Sequence, residues 1–542
     1  MHPAATSSRA DVSAPVARHA HLVAALQAPA CFPHPVSRIE VIETHISTVL
    51  LTGEFAYKIK KPVDLGFLDF TTLERRRRCC EDEVRLNRRT APGIYIDVVP
   101  IGGTLEHPVV GSGGPAIEYA VRMRQFAPDS TLDALLQRGT FSPAHVDDLA
   151  SSVAAFHARI AVASPETRHG SPERVWAAVL DNFRQISAHE GDTAELARLQ
   201  TWSEAEFAGL RGLLEERRRG GFVRECHGDL HLRNVALIDG RPVPFDCIEF
   251  SDALRWIDVI SEVAFSVMDL LEHGARALAF RFLNGYLEAS GDYAGVALLR
   301  FYLVYRALVR AKIAAIRAGQ PDLQRQARMQ ARDELEQYVR LAGTLTERGG
   351  ASLLITSGVS GSGKTSVARS LAESLGAIGL RSDVERKRLH GLAATARTGA
   401  GIGAGLYGPD ASAATYGRLA ELARALLPSR FPVIVDAAFL RRTERDALRK
   451  VAREAGAQFL IVACNAPPEV LRERVLVRER VGQDASEATV AVLERQIETR
   501  EPLAPEELAD AIACEASAAA GSAALLGKVR ARLVPRTDSA PS

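Results

Sequence analysis

Gly358-Val359-Ser360-Gly361-Ser362-Gly363-Lys364-Thr365 sets two glycines, a lysine and a hydroxyl in the spacing G-x-x-x-x-G-K-T. These residue types cradle phosphate. Glycines let the backbone wrap closely enough to aim N–H groups at phosphate oxygens. Lys364 adds a point charge beside the β- and γ-phosphates, and the Thr365 hydroxyl can ligate Mg2+. An apolar run, Ser352 to Thr356, precedes the loop, and a helix-like run, Ser366 to Ala372, follows it. That is the strand-to-helix setting the motif requires, with the helix N-terminus adding partial positive charge. Gly358, Ser360, Gly361, Ser362, Gly363, Lys364 and Thr365 are therefore candidate triphosphate ligands, and ATP with Mg2+ is the implied pair.

A second constellation lies upstream. His227-Gly228-Asp229-Leu230-His231-Leu232-Arg233-Asn234 is followed, twelve residues after Asn234, by Asp246. Phosphoryl transfer needs one carboxylate at the attacking hydroxyl, and a second carboxylate with an amide to hold Mg2+ against the phosphates. Asp229 fits the first role; Asn234 and Asp246 fit the second. The stretch Val235 to Arg241 suits a short hairpin that returns Asp246 to the loop.

This spacing resembles the aminoglycoside phosphotransferase family, which has the two-lobed protein-kinase fold. The likeness covers roughly residues 38 to 340. It implies that Lys58, in Phe55-Ala56-Tyr57-Lys58, contacts the α- and β-phosphates and pairs with Glu83. Lys60 competes with Lys58, since it lies two residues on along one strand face, and Glu81 competes with Glu83. The resemblance makes Glu118-Tyr119-Ala120-Val121 the hinge that holds adenine. Of the family's glycine-rich loop only Gly53 is present. The run Arg75 to Arg78 reads as a solvated helix face. His227 and His231 lack further metal-ligand spacing; His231 reads as a residue that orients the loop.

Downstream of the P-loop, Leu380-Arg381-Ser382-Asp383-Val384-Glu385-Arg386 puts an acid at a strand tip with an arginine one turn later. Asp383 is also a suitable helix N-cap. Val433-Ile434-Val435-Asp436 is a further strand ending in an acid, and Asp436 can hold a water of the metal. Arg474 and Arg478 lie four apart, on one helix face. The order resembles small P-loop kinases of the AAA and zeta toxin type, over roughly 351 to 535. In that resemblance Asp383 activates the acceptor hydroxyl, Arg386 steadies the substrate, and Arg474 and Arg478 reach the phosphates from a lid helix; a solvated, salt-bridged helix is the plainer reading of the two. Gly391 to Tyr416 carries no element signal and reads as a mobile loop.

These groups need scaffolds. A chain of 542 residues exceeds one hydrophobic core. We expect a disordered lead over 1–20, a protein-kinase-like α+β two-lobed domain over 21–345, an α/β P-loop domain over 351–535 with a parallel sheet flanked by helices, and a disordered tail over 536–542. Strands are expected at 38–51, 55–60, 94–101 and 116–125, with a helix over 71–89 capped by Thr71 or Thr72. Further strands are expected at 352–357, 378–381, 432–436 and 458–463. The domain boundary falls at Gly349-Gly350, where periodicity is lost.

Composition sets the outer bounds. A net charge of +1 gives no global drive toward nucleic acid or membrane. Seven cysteines, an odd number without a C-x-x-C pair, read as free thiols in a reducing cytoplasm. No apolar run approaches the ~20 residues that span a bilayer. The order of parts resembles bacterial two-domain proteins described as phosphotransferase/ATP-binding. The expectation is a cytoplasmic kinase with two ATP sites and a small-molecule hydroxyl acceptor that the sequence does not name. Its rivals are a nucleotide-binding regulator fused to one P-loop enzyme, and a nucleic-acid 5′-end kinase. Neutral charge and the lack of aromatic-basic interleaving count against the latter.

Overall fold

The computed structural model describes residues 13–44, 46–66, 68–191, 193–320, 323–394, 396, 408–481, 485–515 and 523–533. The chain divides into two compact units, Met1–Ala177 with Arg211–Glu262, and Ala178–Leu210 with Val263–Ser542. Compactness thus groups the helices that follow Glu262 with the P-loop fold, although the sequence changes character only at Gly349-Gly350.

The first unit is built on a six-stranded antiparallel sheet. Its strands are β1 (Glu40–Glu43), β2 (Ser47–Leu51), β3 (Phe55–Lys60), β4 (Tyr95–Gly103), β5 (Pro108–Val110) and β6 (Glu118–Arg124), in the order β1-β2-β3-β6-β4-β5. Strand alternation sorts side chains between the faces. Leu50, Tyr57, Ile59 and Ala120 pack with Leu22 and Val23 of the helix Ser13–Ala25 and with Leu26 just beyond its end. Leu51, Ala56 and Val121 pack with Cys80 and Val84 of the helix Leu73–Asn87. Lys58 and Lys60 share parity with Ala56 and so face that second helix.

Three expectations change here. The lead is helical from Ser13, because Leu22, Val23 and Leu26 are buried against the sheet; residues 1–12 lie outside the described part. The run 38–51 is two strands, β1 and β2, paired as a hairpin. The strand β5 carries too short a pattern to be read. Thr72 is the helix cap, accepting from the Arg75 amide at 3.3 Å.

The rest of this unit carries a short antiparallel pair, β7 (Val223–Glu225) with β10 (Trp256–Asp258), and the hairpin β8 (Val235–Ile238) and β9 (Arg241–Pro244). Asp239 and Gly240 make the two-residue turn of that hairpin at φ 49° and 76°, the left-handed geometry that matches strand twist.

The second unit holds a five-stranded all-parallel sheet. Its strands are β11 (Ser352–Ser357), β12 (Ile378–Arg381), β13 (Val433–Asp436), β14 (Gln458–Asn465) and β15 (Ala511–Glu515), in the order β12-β13-β11-β14-β15. Leu354, Ile434, Leu460 and Val462 meet Val367 and Leu371 of the helix Lys364–Leu375 on one face. The helix Arg442–Glu454 packs on β11 and β14. The helix Pro409–Leu426 begins inside the stretch expected to be a loop through Tyr416; residues 395 and 397–407 of that stretch, and the tail 536–542, lie outside the described part. The helices Arg276–Ser290, Val296–Ala318 and Arg325–Thr346 belong to this unit too, the last two packed side by side. No helix among the described residues is long and apolar enough to cross a membrane. The first unit is α+β, and the second is an α/β fold whose P-loop sequence joins a strand of a parallel sheet to a flanking helix.

Candidate functional sites

In the first unit the predicted residues meet. Lys58, on β3, donates to Glu83 Oε1 at 2.8 Å and to Asp246. Asn234 Nδ2 donates to Asp229 Oδ2 at 2.9 Å and to the Asp229 carbonyl at 3.0 Å. His231 Nε2 lies 3.3 Å from Asp229 Oδ2, so it does border the loop acid. Asp229 and Asp246 are close enough for their charges to oppose each other.

The competing assignments separate. Lys60 is fully buried and paired with Glu83 and Glu249. Only Lys58 of the two reaches Asp246, whose side chain keeps 41% of its surface open. Glu81 is exposed and accepts from Arg77, one helical turn earlier, at 2.9 Å. Burial opposes charge on Lys58, yet Asp246 and Glu83 outweigh it and hold its pKa well above the usual value. Lys58 in turn holds the Asp246 carboxyl below its usual range, against the effect of burial.

The loop itself is anchored from behind. Gly228 sits at φ 88°, where a Cβ would meet the Leu254 carbonyl at 2.8 Å. Its amide donates to Glu262 Oε2 at 2.6 Å, and Glu262 Oε1 pairs with His157 Nε2 at 2.9 Å. Burial pushes the Glu262 carboxyl up, but the hydrogen bond and charge of His157 win, and its pKa falls to about 2. His227 Nε2 donates to the Phe245 carbonyl at 2.8 Å, and burial lowers its pKa. Asp246 lies at φ 62°, its amide donating to Tyr95 Oη at 3.0 Å, while the Cys247 amide donates to Asn87 Oδ1 at 2.8 Å. Aspartate tolerates that left-handed geometry better than most residues.

Two readings are corrected. Glu118 to Val121 is no hinge: it opens β6 inside the sheet, between β3 and β4, and Glu118 is buried against Arg76 at 2.8 Å. The chain leaves β6 only after Arg124. The run Arg75 to Arg78 is a solvated face at three positions, while Arg76 turns inward to that ion pair. Glu249, Glu262, His157 and Arg76 escaped sequence reasoning. Glu249 stood three residues beyond Asp246, but no fixed spacing joins it to Lys60.

In the second unit the P-loop links β11 to the helix Lys364–Leu375. Gly358 and Gly361 have φ of 152° and 81°, and a Cβ on them would meet the Cys464 carbonyl at 2.4 Å and the Leu471 carbonyl at 2.7 Å. Gly363 is left-handed at the helix N-cap. The Ser360 amide donates to Gln496 Oε1 at 2.7 Å. Lys364 Nζ donates to the Val359 carbonyl at 2.9 Å, and burial lowers its pKa against the pull of Asp436. Ser362 Oγ is buried without a hydrogen-bond partner among the described residues. Thr365 is half-buried.

Around this loop, Asp436 is buried at the end of β13 and accepts from Thr356 Oγ1 at 3.2 Å. Asp383 pairs with Arg386 at 2.6 Å; the backbone cap role expected of Asp383 goes to Arg381, without a side-chain bond. Arg474 donates to the Gly361 carbonyl at 3.3 Å, which places it on the loop, and Arg478 donates to the Ala488 carbonyl at 3.2 Å. Sequence reasoning missed Gln496, whose only signal is a polar residue on the helix Val490–Thr499 beside the apolar Leu493 and Ile497 that pack toward Val359.

Comparison with known proteins adds kinship. A model of an AAA domain matches residues 353–503. The uncharacterized protein Rv2004c of Mycobacterium tuberculosis is 30% identical over 469 residues, 85% of this chain and 91% of its own. The uncharacterized protein Mb2027c of Mycobacterium bovis matches to the same extent. Among solved structures, a gluconokinase from Sinorhizobium meliloti is 26% identical, with 34% of this chain and 93% of its own covered and a TM-score of 0.24. The amicoumacin kinase hAmiN, in complex with AMP-PNP, Ca2+ and Ami, is 13% identical, with 61% and 96% covered and a TM-score of 0.39. At those TM-scores the two structures add no weight to the geometry above. Identity sustained over 85% of its length is decisive instead, and the chain belongs to one family with these mycobacterial proteins.

Proposed function

We propose that this chain is an ATP-dependent phosphotransferase with two nucleotide sites, acting in the cytoplasm on small molecules that present a hydroxyl. The observation that carries the reading is the meeting of Lys58, Glu83, Asp229, Asn234 and Asp246 in one cluster, in a chain that also holds a complete P-loop. The seven free cysteines fit a reducing compartment.

In the upstream site Lys58 holds the α- and β-phosphates, and Glu83 fixes its ammonium. Asp229 accepts the proton of the acceptor hydroxyl while that oxygen bonds to the γ-phosphorus. The bond from the γ-phosphorus to the β–γ bridging oxygen breaks, and ADP leaves. Asn234 restrains the Asp229 carboxylate. In the downstream site the loop amides and Lys364 hold the phosphates, Asp383 takes the hydroxyl proton, and Arg386, Arg474 and Arg478 steady the transferring charge. Asn234 and Asp246 upstream, and Thr365 and Asp436 downstream, offer the oxygen donors a hard cation takes. The unpartnered Ser362 Oγ fits a P-loop made to receive phosphate oxygen. Bound Mg2+ would neutralise charge on the phosphates at each site.

One observation favours a second reading, in which the upstream unit binds nucleotide as a regulator. The turn between β2 and β3 is only Thr52-Gly53-Glu54, with the Gly53 amide tied to Gln125 Oε1 at 2.9 Å. That leaves little chain to cover phosphates. A metabolite-library screen for ATP-dependent phosphate transfer decides, run on wild type, Asp229→Ala and Lys364→Ala. Two acceptors, each lost in one variant, support two enzymes. Transfer untouched by Asp229→Ala refutes upstream catalysis, and transfer untouched by either variant refutes the whole reading.

A further inference from the structure

The P-loop sheet is completed by a helix far upstream of it. Among the described residues strand β12 is an edge, paired with β13 on one side. Along its other side runs the helix Arg276–Ser290. Asn284 Oδ1 accepts from the Gly379 amide at 2.7 Å, and Asn284 Nδ2 donates to the Ala377 carbonyl at 2.9 Å. One side chain thus satisfies a donor and an acceptor that a further strand would have taken. Arg281 pairs with Glu373 at 2.9 Å, so the helix is also held to the helix that starts at Lys364.

One turn beyond Asn284, the same helix reaches the chemistry. Glu288 Oε1 accepts from Arg381 at 3.0 Å. Arg381 is the last residue of β12, in register with Asp436 at the end of β13, and its Nε stands 3.9 Å from Asp436 Oδ2. A single guanidinium is therefore set between two carboxylates and sits nearer to Glu288. Asp436 is 7% exposed and Glu288 side-chain exposure is 26%, so the inner acid has the weaker access to solvent and the greater need of a cation. An arginine fully engaged with Asp436 would compete with a divalent cation for that carboxylate.

We propose that Glu288 is a positioning residue for the P-loop site, drawing Arg381 away from Asp436 and so keeping Asp436 available on the metal side. The inference rests on the reading of the P-loop as a Mg2+–nucleotide site and extends it to a residue outside the AAA domain. The site is then built by two stretches of chain, and the helix Arg276–Ser290 is part of the machinery that residues 351–535 were expected to hold alone. Changes that shift this helix would change the cation requirement of the P-loop.

The test is binding of a fluorescent ATP analogue to the full chain across a Mg2+ titration, with the signal that Lys364→Ala removes taken as the P-loop component. Glu288→Gln should raise the Mg2+ needed for half-saturation by about fivefold, and Glu288→Asp should restore most of it. Arg381→Gln should not raise it, and adding Glu288→Gln to Arg381→Gln should do nothing more, since the competitor is gone. The double variant keeps the experiment informative if an unpaired Arg381 loosens the fold. An unshifted Mg2+ curve in Glu288→Gln, or an equal shift with and without Arg381, overturns the inference while leaving the nucleotide reading intact. Analogue binding that Lys364→Ala does not diminish overturns the nucleotide reading and this inference with it.

Discussion

The two candidate sites are built from different material. The downstream one is backbone: glycines at positive φ and one lysine, all from eight consecutive residues. The upstream one is side chain: its central contact joins Lys58 to Asp246 across 188 residues. Their resting electrostatics differ accordingly. Upstream, Lys58 and Lys60 are paired with the three acids Glu83, Asp246 and Glu249. Downstream, Lys364 rests on a carbonyl and Ser362 Oγ has no partner among the described residues. On the proposed reading, a phosphate tail entering the upstream site would displace ion pairs; downstream it would displace neutral hydrogen bonds, from Lys364 to the Val359 carbonyl and from the Ser360 amide to Gln496. A backbone site is pre-shaped by chain geometry, whereas a side-chain site is pre-shaped by the charges it contains.

The largest effect that would sharpen this contrast is on turnover. Asp229→Ala should lower upstream transfer by about a thousandfold while leaving ATP binding in place; equal losses of both in calorimetry and transfer assays would break the division of roles. Next comes stability. Glu83→Gln leaves two buried ammonium groups short of a partner and should destabilise the first unit by about 3 kcal/mol. Faster hydrogen exchange along β3 is the measurement, with exchange along β11 unchanged. Downstream, Lys364→Ala should weaken ATP binding by about a hundredfold with no stability loss of that size, because among the described residues Lys364 bonds a carbonyl and forms no ion pair. A thermal melt that falls as far as for Glu83→Gln would erase the contrast.

The smallest effect is a slope with pH. The Glu262 carboxyl is depressed to about 2 from 4.5. Its folded form binds its proton less readily than the unfolded chain does. The stability it gives is therefore fully present above about pH 4.5 and is lost as pH falls toward 2. Glu262→Gln should flatten the acid side of the unfolding curve of the first unit between those values. An unchanged slope, followed by tryptophan fluorescence, would detach Glu262 from the Gly228 anchor.

What could be read before folding follows the same contrast. The P-loop, Asp383 and Asp436 were legible because each is fixed by neighbours in sequence. The H-G-D-x-x-x-x-N segment was legible for that reason too, and so was the hairpin that returns Asp246. The choice of Lys58 over Lys60 was not, since a strand face offers both, and only the place of Asp246 and Glu249 on it separates them. The choice of Glu83 over Glu81 needed the packed helix, which turns Glu81 out to Arg77. The hinge was misplaced because β6 reads as a strand from either end, and only its position between β3 and β4 shows where the chain departs.

Sequence by itself determined the chemistry on offer: a P-loop motif, acids at strand ends, and lysines on one strand face, because bond lengths and periodicity carry those over short spans. Tertiary structure alone decided who partners whom: Glu249 with Lys60, Arg76 with Glu118, and Glu288 of a distant helix with the Arg381 beside Asp436. The physical reason is that a buried charge takes its partner from whatever the fold brings within reach, and the distance along the chain places no limit on that.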